Sequence, residues 1–293
     1  MLFENCTSLD NVDFSPALTT IGQKCFLNCS NLNSFSLPTL VSRIGVEAFK
    51  GCSDLREVAL SDSLKILGQY AFIGCPNLTS IHVSTLNNYF SSKEGVLYTK
   101  GFVDLVCCPA GKTGAVVIPE TAKTLQGKSF YECVALTSVT IPASIDPIGF
   151  GGYVFYGCSG LLSIHAKREV PVDLFSATQT FGQVSKSSCT LYVPVGSLTT
   201  YSNAYQWKDF FHIVEESTSN LSETATSSMQ VQVNGSLLTV SHLRIGQVIR
   251  VYNSNGICLF TTTAHDSSLN FQLPTLGLYL VSDGSQTLKV SGN

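Results

Sequence analysis

Apolar positions recur along the first two-thirds of the chain in one frame. The run Phe-x-x-Cys-x-x-Leu occupies Phe3, Cys6 and Leu9, then Phe26, Cys29 and Leu32, then Phe49, Cys52 and Leu55, then Phe72, Cys75 and Leu78, each copy 23 residues after the last. The frame returns at Phe130, Cys133 and Leu136 and at Phe155, Cys158 and Leu161, 25 residues apart. An aliphatic-Gly pair stands upstream: Ile21-Gly22, Ile44-Gly45, Leu67-Gly68. A short alternating run follows each Leu, as in Leu55-Arg56-Glu57-Val58-Ala59-Leu60. One such unit cannot bury its apolar side alone, whereas stacked copies share a continuous core. The frame therefore predicts a mainly β solenoid with a short strand in every coil.

Stacking turns sequence positions into columns. The Phe residues form one interior column and the Cys residues another. In each strand the first Leu and the residues three and five further on point inward, and those between point out. Ser34, Glu57, Ser80, Ser138 and Ser163 then form one outer column, and Ser36, Ala59, His82, Thr140 and His165 the next. Gly149, Gly151 and Gly152 read as a two-residue insertion that explains the 25-residue spacing.

The pattern changes after Val214. Residues 215–228 are polar and rich in Ser and Thr, which predicts a linker. From 229 to 293, alternating runs predict seven short strands: Met229–Val233, Leu237–Val240, Val248–Tyr252, Cys258–Thr262, Leu269–Leu273, Leu278–Val281 and Thr287–Val290. Asn234-Gly235, Asn255-Gly256 and Asp283-Gly284 sit at joins as hairpin signals. Such spacing predicts a small Ig-like β-sandwich.

Composition narrows the function. Hydrophobic residues make up 44% of the 293, enough to exclude wholesale disorder. Charged residues are only 13% and the net charge is −3. The basic surface of a non-specific nucleic-acid binder is missing. No apolar run approaches the ~18 residues of a membrane span. The first residues carry no signal-peptide pattern, and Phe3 opens a repeat with no preceding strand. An uncapped apolar end around Phe3, Leu9, Val12 and Phe14 is the expectation there, favouring end-to-end self-association or contact with upstream repeats.

The 11 cysteines do not read as a disulfide framework. Cys6, Cys29, Cys52, Cys75, Cys133 and Cys158 hold one repeat position, so their Cβ vectors run parallel, whereas bridging needs convergence. They read as buried free thiols, small hydrophobes that donate weakly to a turn carbonyl. Zinc needs paired short spacings. Cys25 holds the small position before Phe26, and only one of Cys107 and Cys108 can face inward, so no metal site is expected. His82 and His165 share an outer strand position. No nucleophile recurs beside them, and no nucleophile elbow, phosphate loop or His-Glu-x-x-His motif is present. Asp54 with Glu57, or Glu215 with Glu216, could be paired as glycosidase acids only by proximity. Tyr70, Tyr131, Tyr153 and Tyr156 could stack on sugars, against a default of packing along a coil edge.

The segment Ile44-Gly45-Val46-Glu47-Ala48-Phe49-Lys50-Gly51-Cys52 resembles the repeat of BspA-like leucine-rich repeat surface proteins. Ser92-Lys93-Glu94-Gly95-Val96-Leu97-Tyr98 with Cys108-Pro109-Ala110-Gly111-Lys112 is similar to that family's inserted hairpin, placing such a unit at about 87–115. Leu191 to Pro194, Gly196-Ser197, Tyr201 and Trp207 to Phe210 resemble its closing unit, about 188–214. Solenoid 1–214, linker 215–228 and sandwich 229–293 follow as the organisation. Ile249 to Tyr252, Gly277 to Val281 and Lys289-Val290 look like the Por-type sorting domain of Bacteroidetes secreted proteins, although Ser291-Gly292-Asn293 departs from its usual basic close. The resemblance implies a cell-surface or secreted, adhesin-like protein that is not an enzyme and needs no cofactor. Its partners would be a host or bacterial surface protein or a polysaccharide. The expected binding face comprises Asn33, Ser36, Arg56, Glu57, His82, Thr140 and His165. A structural scaffold or spacer in a cell-envelope complex is the alternative, and a polysaccharide-active enzyme a distant third.

Overall fold

The computed structural model describes residues 2–216 and, beyond them, 230–234, 236–241, 243, 247–254, 257–264, 268–274, 277–282 and 287–292. The chain forms two compact units, Met1–Thr218 and Ser219–Asn293. The first is the predicted solenoid. Its early coils contain β1 (Thr20–Ile21), β2 (Arg43–Ile44), β3 (Glu57–Leu60), β4 (Ile66–Leu67) and β5 (Ser80–Val83). A hairpin of β6 (Phe90–Lys93) and β7 (Val96–Thr99) leads into β8 (Asp104–Cys107). The later coils carry β9 (Gly114–Val117), β10 (Thr124–Gln126), β11 (Leu136–Ile141), β12 (Ile148–Phe150), β13 (Ser163–Ala166) and β14 (Thr190–Pro194). Helix α1 (Leu198–Asn203) and β15 (His212–Glu216) follow.

The 23-residue period sets the register. Thr20 pairs Arg43 and Arg43 pairs Ile66 in the parallel ladder β1-β2-β4, while Val58 pairs Ile81 in β3-β5. Gly45 and Gly68 let the backbones approach. A Cβ on Gly68 would lie 2.2 Å from the Val46 nitrogen, and one on Gly45 2.4 Å from the Gln23 nitrogen. The extra residues of the 25-residue coil appear as a bulge where β10 pairs β12, with Gly149 at a φ of 66° that a side chain would strain.

The interior columns are built as the repeat requires. Phe3, Phe26, Phe49 and Phe72 stack face to face at 5.2, 5.2 and 5.6 Å between centroids. Phe130 and Phe155 resume the stack at 4.9 Å, and Phe181 extends it at 5.7 Å. From the second coil on, each column thiol donates to a carbonyl one coil back: Cys29 Sγ to Phe3 O at 3.0 Å, Cys52 to Phe26 at 3.3 Å, Cys75 to Phe49 at 3.2 Å, Cys133 to Pro109 at 3.5 Å and Cys158 to Phe130 at 2.9 Å. Cys6, expected to be buried with them, is exposed because no coil covers it in this structure. All 11 cysteines are free. Burial, the largest cause, pushes the Cys52 thiol up to about 12 and that of Cys75 higher still.

Every corner uses left-handed residues that the pattern did not announce. Lys24, Glu47, Tyr70, Lys128 and Tyr153 share one such column. Asn28, Gly51, Gly74, Glu132 and Gly157 share another.

The hairpin divides the core. Phe72 and Phe130 do not stack on each other, and the buried apolar residues fall into one cluster before β7 and one after it. Leu97 belongs to the first cluster, Val96 and Tyr98 to the second, so alternate residues of β7 face opposite halves. Asn87 fixes the entry to the hairpin. It is fully buried, donates Nδ2 to the carbonyls of Ser61 (2.9 Å) and Leu64 (3.0 Å), and accepts at Oδ1 from the amides of Tyr89 and Phe90, both at 2.8 Å. At the far end Trp207 donates to Val172 O at 3.0 Å and Tyr201 to Arg168 O at 2.8 Å.

Two expectations change. Residues 32–37 form no strand. Their column carries Phe35 where later coils carry Val58 and Ile81, and that larger ring stacks on Phe49 at 4.4 Å. Glu215 and Glu216, read as linker, belong to β15, where Val193 and Pro194 of β14 pair them in register. The rest of the expected linker, 217–228, lies outside the described residues, as do Gly235, Asn255-Gly256 and Asp283-Gly284.

The described residues of the second unit form seven strands: β16 (Gln230–Asn234), β17 (Leu237–Ser241), β18 (Val248–Asn253), β19 (Cys258–Thr263), β20 (Ser268–Gln272), β21 (Gly277–Ser282) and β22 (Thr287–Gly292). They form antiparallel sheets ordered β16-β17-β20 and β19-β18-β21-β22. Leu238 and Val240 from one sheet share a core with Ile249, Val251 and Val281 from the other, the arrangement of a sandwich.

Candidate binding surface

The outer side chains of the strands are registered but fall on two sheets. On β3-β5, Glu57 pairs Ser80 and Ala59 pairs His82. The exposed His82 Nε2 lies 3.7 Å from Glu57 Oε2. Asn33, Ser36 and Arg56 are exposed in the same early coils. The turn of the hairpin then takes the next place: the Ile81 amide donates to Gly95 O at 2.9 Å.

Thr140 and His165 lie beyond it, on the five-stranded parallel sheet β15-β14-β13-β11-β9. One outer column runs Ala115, Ser138, Ser163, Thr190, His212, and the next runs Val117, Thr140, His165, Tyr192, Val214. Ser138 and Ser163 hydroxyls share a 2.7 Å hydrogen bond. The His165 ring lies flat on Tyr192, 4.6 Å between centroids and 6° from parallel. Glu216 Oε2 is 3.2 Å from His165 Nδ1 and 2.7 Å from Lys167 Nζ. Burial raises the Glu216 carboxyl, but hydrogen bonds from Lys167 and His165 and their charge outweigh it and hold the group below its ordinary value. The structure thus groups Thr140 and His165 with Tyr192, Lys167 and Glu216, and groups Ser36, Arg56, Glu57 and His82 separately. Tyr192 and Glu216 were missed because their contacts with His165 depend on register across 27 and 51 residues of chain.

The corner aromatics form a third feature. Tyr131 stacks on Tyr156 at 5.4 Å, and Tyr153 meets Tyr156 edge-on at 5.5 Å. Lys128 Nζ sits 4.4 Å over the Tyr70 ring, 5.6 Å from Tyr131 and 5.8 Å from Tyr153. The expected coil-edge packing is present, with a lysine at its centre that the sequence did not single out. Among the described residues no group of three or more His, Cys, Asp or Glu is placed to hold a metal, and no helix is long and apolar enough to cross a membrane.

Stacked 23-residue coils with a parallel sheet on one side define a leucine-rich repeat solenoid. The chain matches the model of the BspA type leucine rich repeat region in six copies over residues 1–94 and 111–190, and it belongs to that family. Among solved structures it is similar to the pneumococcal vaccine antigen PcpA, with 19% identity over 71% of this chain and 68% of that one at a TM-score of 0.48. It is also similar to a leucine rich cell surface protein from Faecalibacterium prausnitzii, 21% identical over 78% and 79% of the two chains at 0.37. A leucine-rich repeat protein from Eubacterium ventriosum is 18% identical over 66% of this chain and 62% of its own length at 0.43. No curated protein matches the chain.

Proposed function

We propose that this protein is a non-enzymatic, adhesin-like binding protein, displayed on or released from a bacterial cell surface, that recognises a protein or glycan through the outer face of its solenoid strands. The observation that carries the reading is the registered face of β9 to β15. Hydroxyls, the stacked His165–Tyr192 pair and the Lys167–Glu216 pair stand there on a rigid parallel sheet with few net charges. Such a face favours contact by hydrogen bonds and flat packing over long-range steering. Family membership supports a binding role, and the surface-protein names of similar structures are compatible with it. The carboxy-terminal sandwich fits export and surface attachment through its resemblance to sorting domains.

The test is solid-phase binding of the full chain to matrix proteins, bacterial surfaces and polysaccharides. Two variants accompany it, one with Glu at Ser36 and His82 and one with Glu at Thr140 and His165. Saturable binding lost in the second variant alone is the expected result. Binding unaffected by either variant, or none across the panel, would move the assignment to the envelope scaffold.

A further inference from the structure

Adjacent corners of the solenoid are stitched by three main-chain hydrogen bonds. Glu47, Phe49 and Gly51 amides donate to the carbonyls of Gln69, Ala71 and Ile73 at 2.9–3.0 Å. Lys128, Phe130 and Glu132 donate to Gly152, Val154 and Tyr156 at 2.8–3.1 Å. Between these two stitched stacks the pattern fails. Among the described residues the amides of Tyr70, Phe72 and Gly74 donate to no protein acceptor. Of the carbonyls in the opposite wall, Ser129 accepts from Cys108 at 2.7 Å, while those of Gly127 and Tyr131 accept nothing.

The cause is a shortened corner. Fourteen residues separate the register-matched Leu125 and Val139, but only eleven separate Leu105 and Val116, which pair with them one coil back. The coil after the hairpin therefore cuts inside, and a notch of about 320 Å³ opens above Val106, Cys107 and Cys108. Residues 95–110, which include this corner, also fall outside the family match. Tyr70 forms one wall of the notch and Lys128 and Tyr131 the other. Tyr131 stacks on Tyr156 away from the notch, which leaves its other face toward it. Lys128 crosses to the Tyr70 ring and makes no ion pair among the described residues, and no carboxylate lines the notch.

The inventory selects a ligand class. Three free amides and an ammonium outnumber the two free carbonyls, so the site wants an acceptor-rich, anionic ligand. Two tyrosine rings want a flat C–H face. The volume is at the small end of ligand pockets, about 300–1,000 Å³. We propose that this notch binds one carboxylated pyranose unit of an acidic glycan, its carboxylate on Lys128, its ring on the tyrosines, and its hydroxyls shared between the Tyr70–Gly74 amides and the Gly127 and Tyr131 carbonyls. The site goes beyond the strand-face reading and stands or falls without it.

Calorimetric titration of the full chain tests it with galacturonate oligomers, sialyl-lactose, neutral galactose oligomers and a poly-glutamate peptide. A saturable heat with one of the two acidic sugars is expected, at least tenfold tighter than with the neutral oligomer, and which of the two binds identifies the source. Lys128→Gln and Tyr131→Leu, with melting curves like the parent's, should each weaken it about tenfold, while the Thr140 and His165 variant should not. Binding that survives Lys128→Gln, equal binding of neutral sugar, tighter binding of the acidic peptide, or no heat with either acidic sugar would each overturn the proposal.

Discussion

Replacing Asn87 with Ala should be among the most damaging single substitutions in the solenoid. The side chain is fully buried and uses both its functions, with four hydrogen bonds between 2.8 and 3.0 Å. Ser61 O keeps a second donor in the Leu64 amide, and Tyr89 is exposed enough for water to reach its amide. The Leu64 carbonyl and the Phe90 amide would be left with nothing in their place. Stranding a buried polar group costs about 1–3 kcal/mol and losing an ordinary bond about 0.5–1.5. The four together come to roughly 3–9 kcal/mol. Urea unfolding followed by tyrosine fluorescence and circular dichroism measures the loss as a lower midpoint at unchanged slope. Asn87→Asp separates this account from a simple packing defect. It keeps the acceptor but sets an oxygen against two carbonyls, so at pH 7 it should be at least as damaging as Ala. It should recover part of the loss near pH 4, where a protonated carboxyl can donate. A cost below about 1 kcal/mol for Asn87→Ala, or an Asp variant clearly more stable than Ala at pH 7, would refute the reasoning.

A disulfide-exchange reagent at pH 8 should label Cys6 and Cys258 rapidly in the native protein, since both are exposed, and reach the seven buried thiols only on unfolding; mass mapping that finds Cys52 or Cys75 labelled natively would contradict the buried, raised-pKa column. The Glu216 carboxyl is held below its ordinary value of 4.5, so its contribution is complete above the unfolded-state pKa and vanishes as pH falls through the lower folded one. Glu216→Gln should therefore cost stability at pH 7 and converge on the parent as the pH falls through the depressed folded-state pKa, read by thermal melts from neutral into acid solution. Glu132 holds a φ of 57° in a column that also carries Asn28, Gly51, Gly74 and Gly157. Relieving that conformation with Glu132→Gly should raise stability by up to about 1 kcal/mol, visible as a higher urea midpoint.

The columns of the solenoid were legible because a translated repeat leaves its spacing in the chain. Phe26 predicts Phe49, and the parallel thiols follow from the same translation. Departures from the period were opaque for the same reason. Phe181 extends the aromatic stack from a coil in which Val184, not Cys, stands three residues on. There Gln206 supplies the turn bonding instead, accepting from the Thr180 amide and donating to Ala177 O, both at 2.7 Å. Lys128 looked like any solvated lysine until the shortened corner brought Tyr70 within 4.4 Å of its ammonium. The strand face was read as one surface because alternation gives direction but not adjacency. Only the hairpin turn seated beside Ile81 shows that His82 and Thr140 stand on different sheets.

The hairpin explains why these departures cluster. A plain repeat between Phe72 and Phe130 would continue the ring stack, the corner ladder and the outer face without a break. Instead β7 packs Leu97 into the earlier half of the core and Val96 and Tyr98 into the later half. A strand buried on both faces couples the two stacks while keeping them apart. The same insertion opens the corner notch on one side and divides the strand face on the other. Asn87, which sets the path into the hairpin, therefore bears on both surfaces without lining either. A partial loss of that anchor should loosen the hairpin and the sheet junction together, so amide exchange in Asn87→Ala should rise at Ile81 and Leu97 before it rises at Ile21 or Leu191. Exchange that rises uniformly along the solenoid would mean that the stacks melt as one and that the hairpin is no special joint.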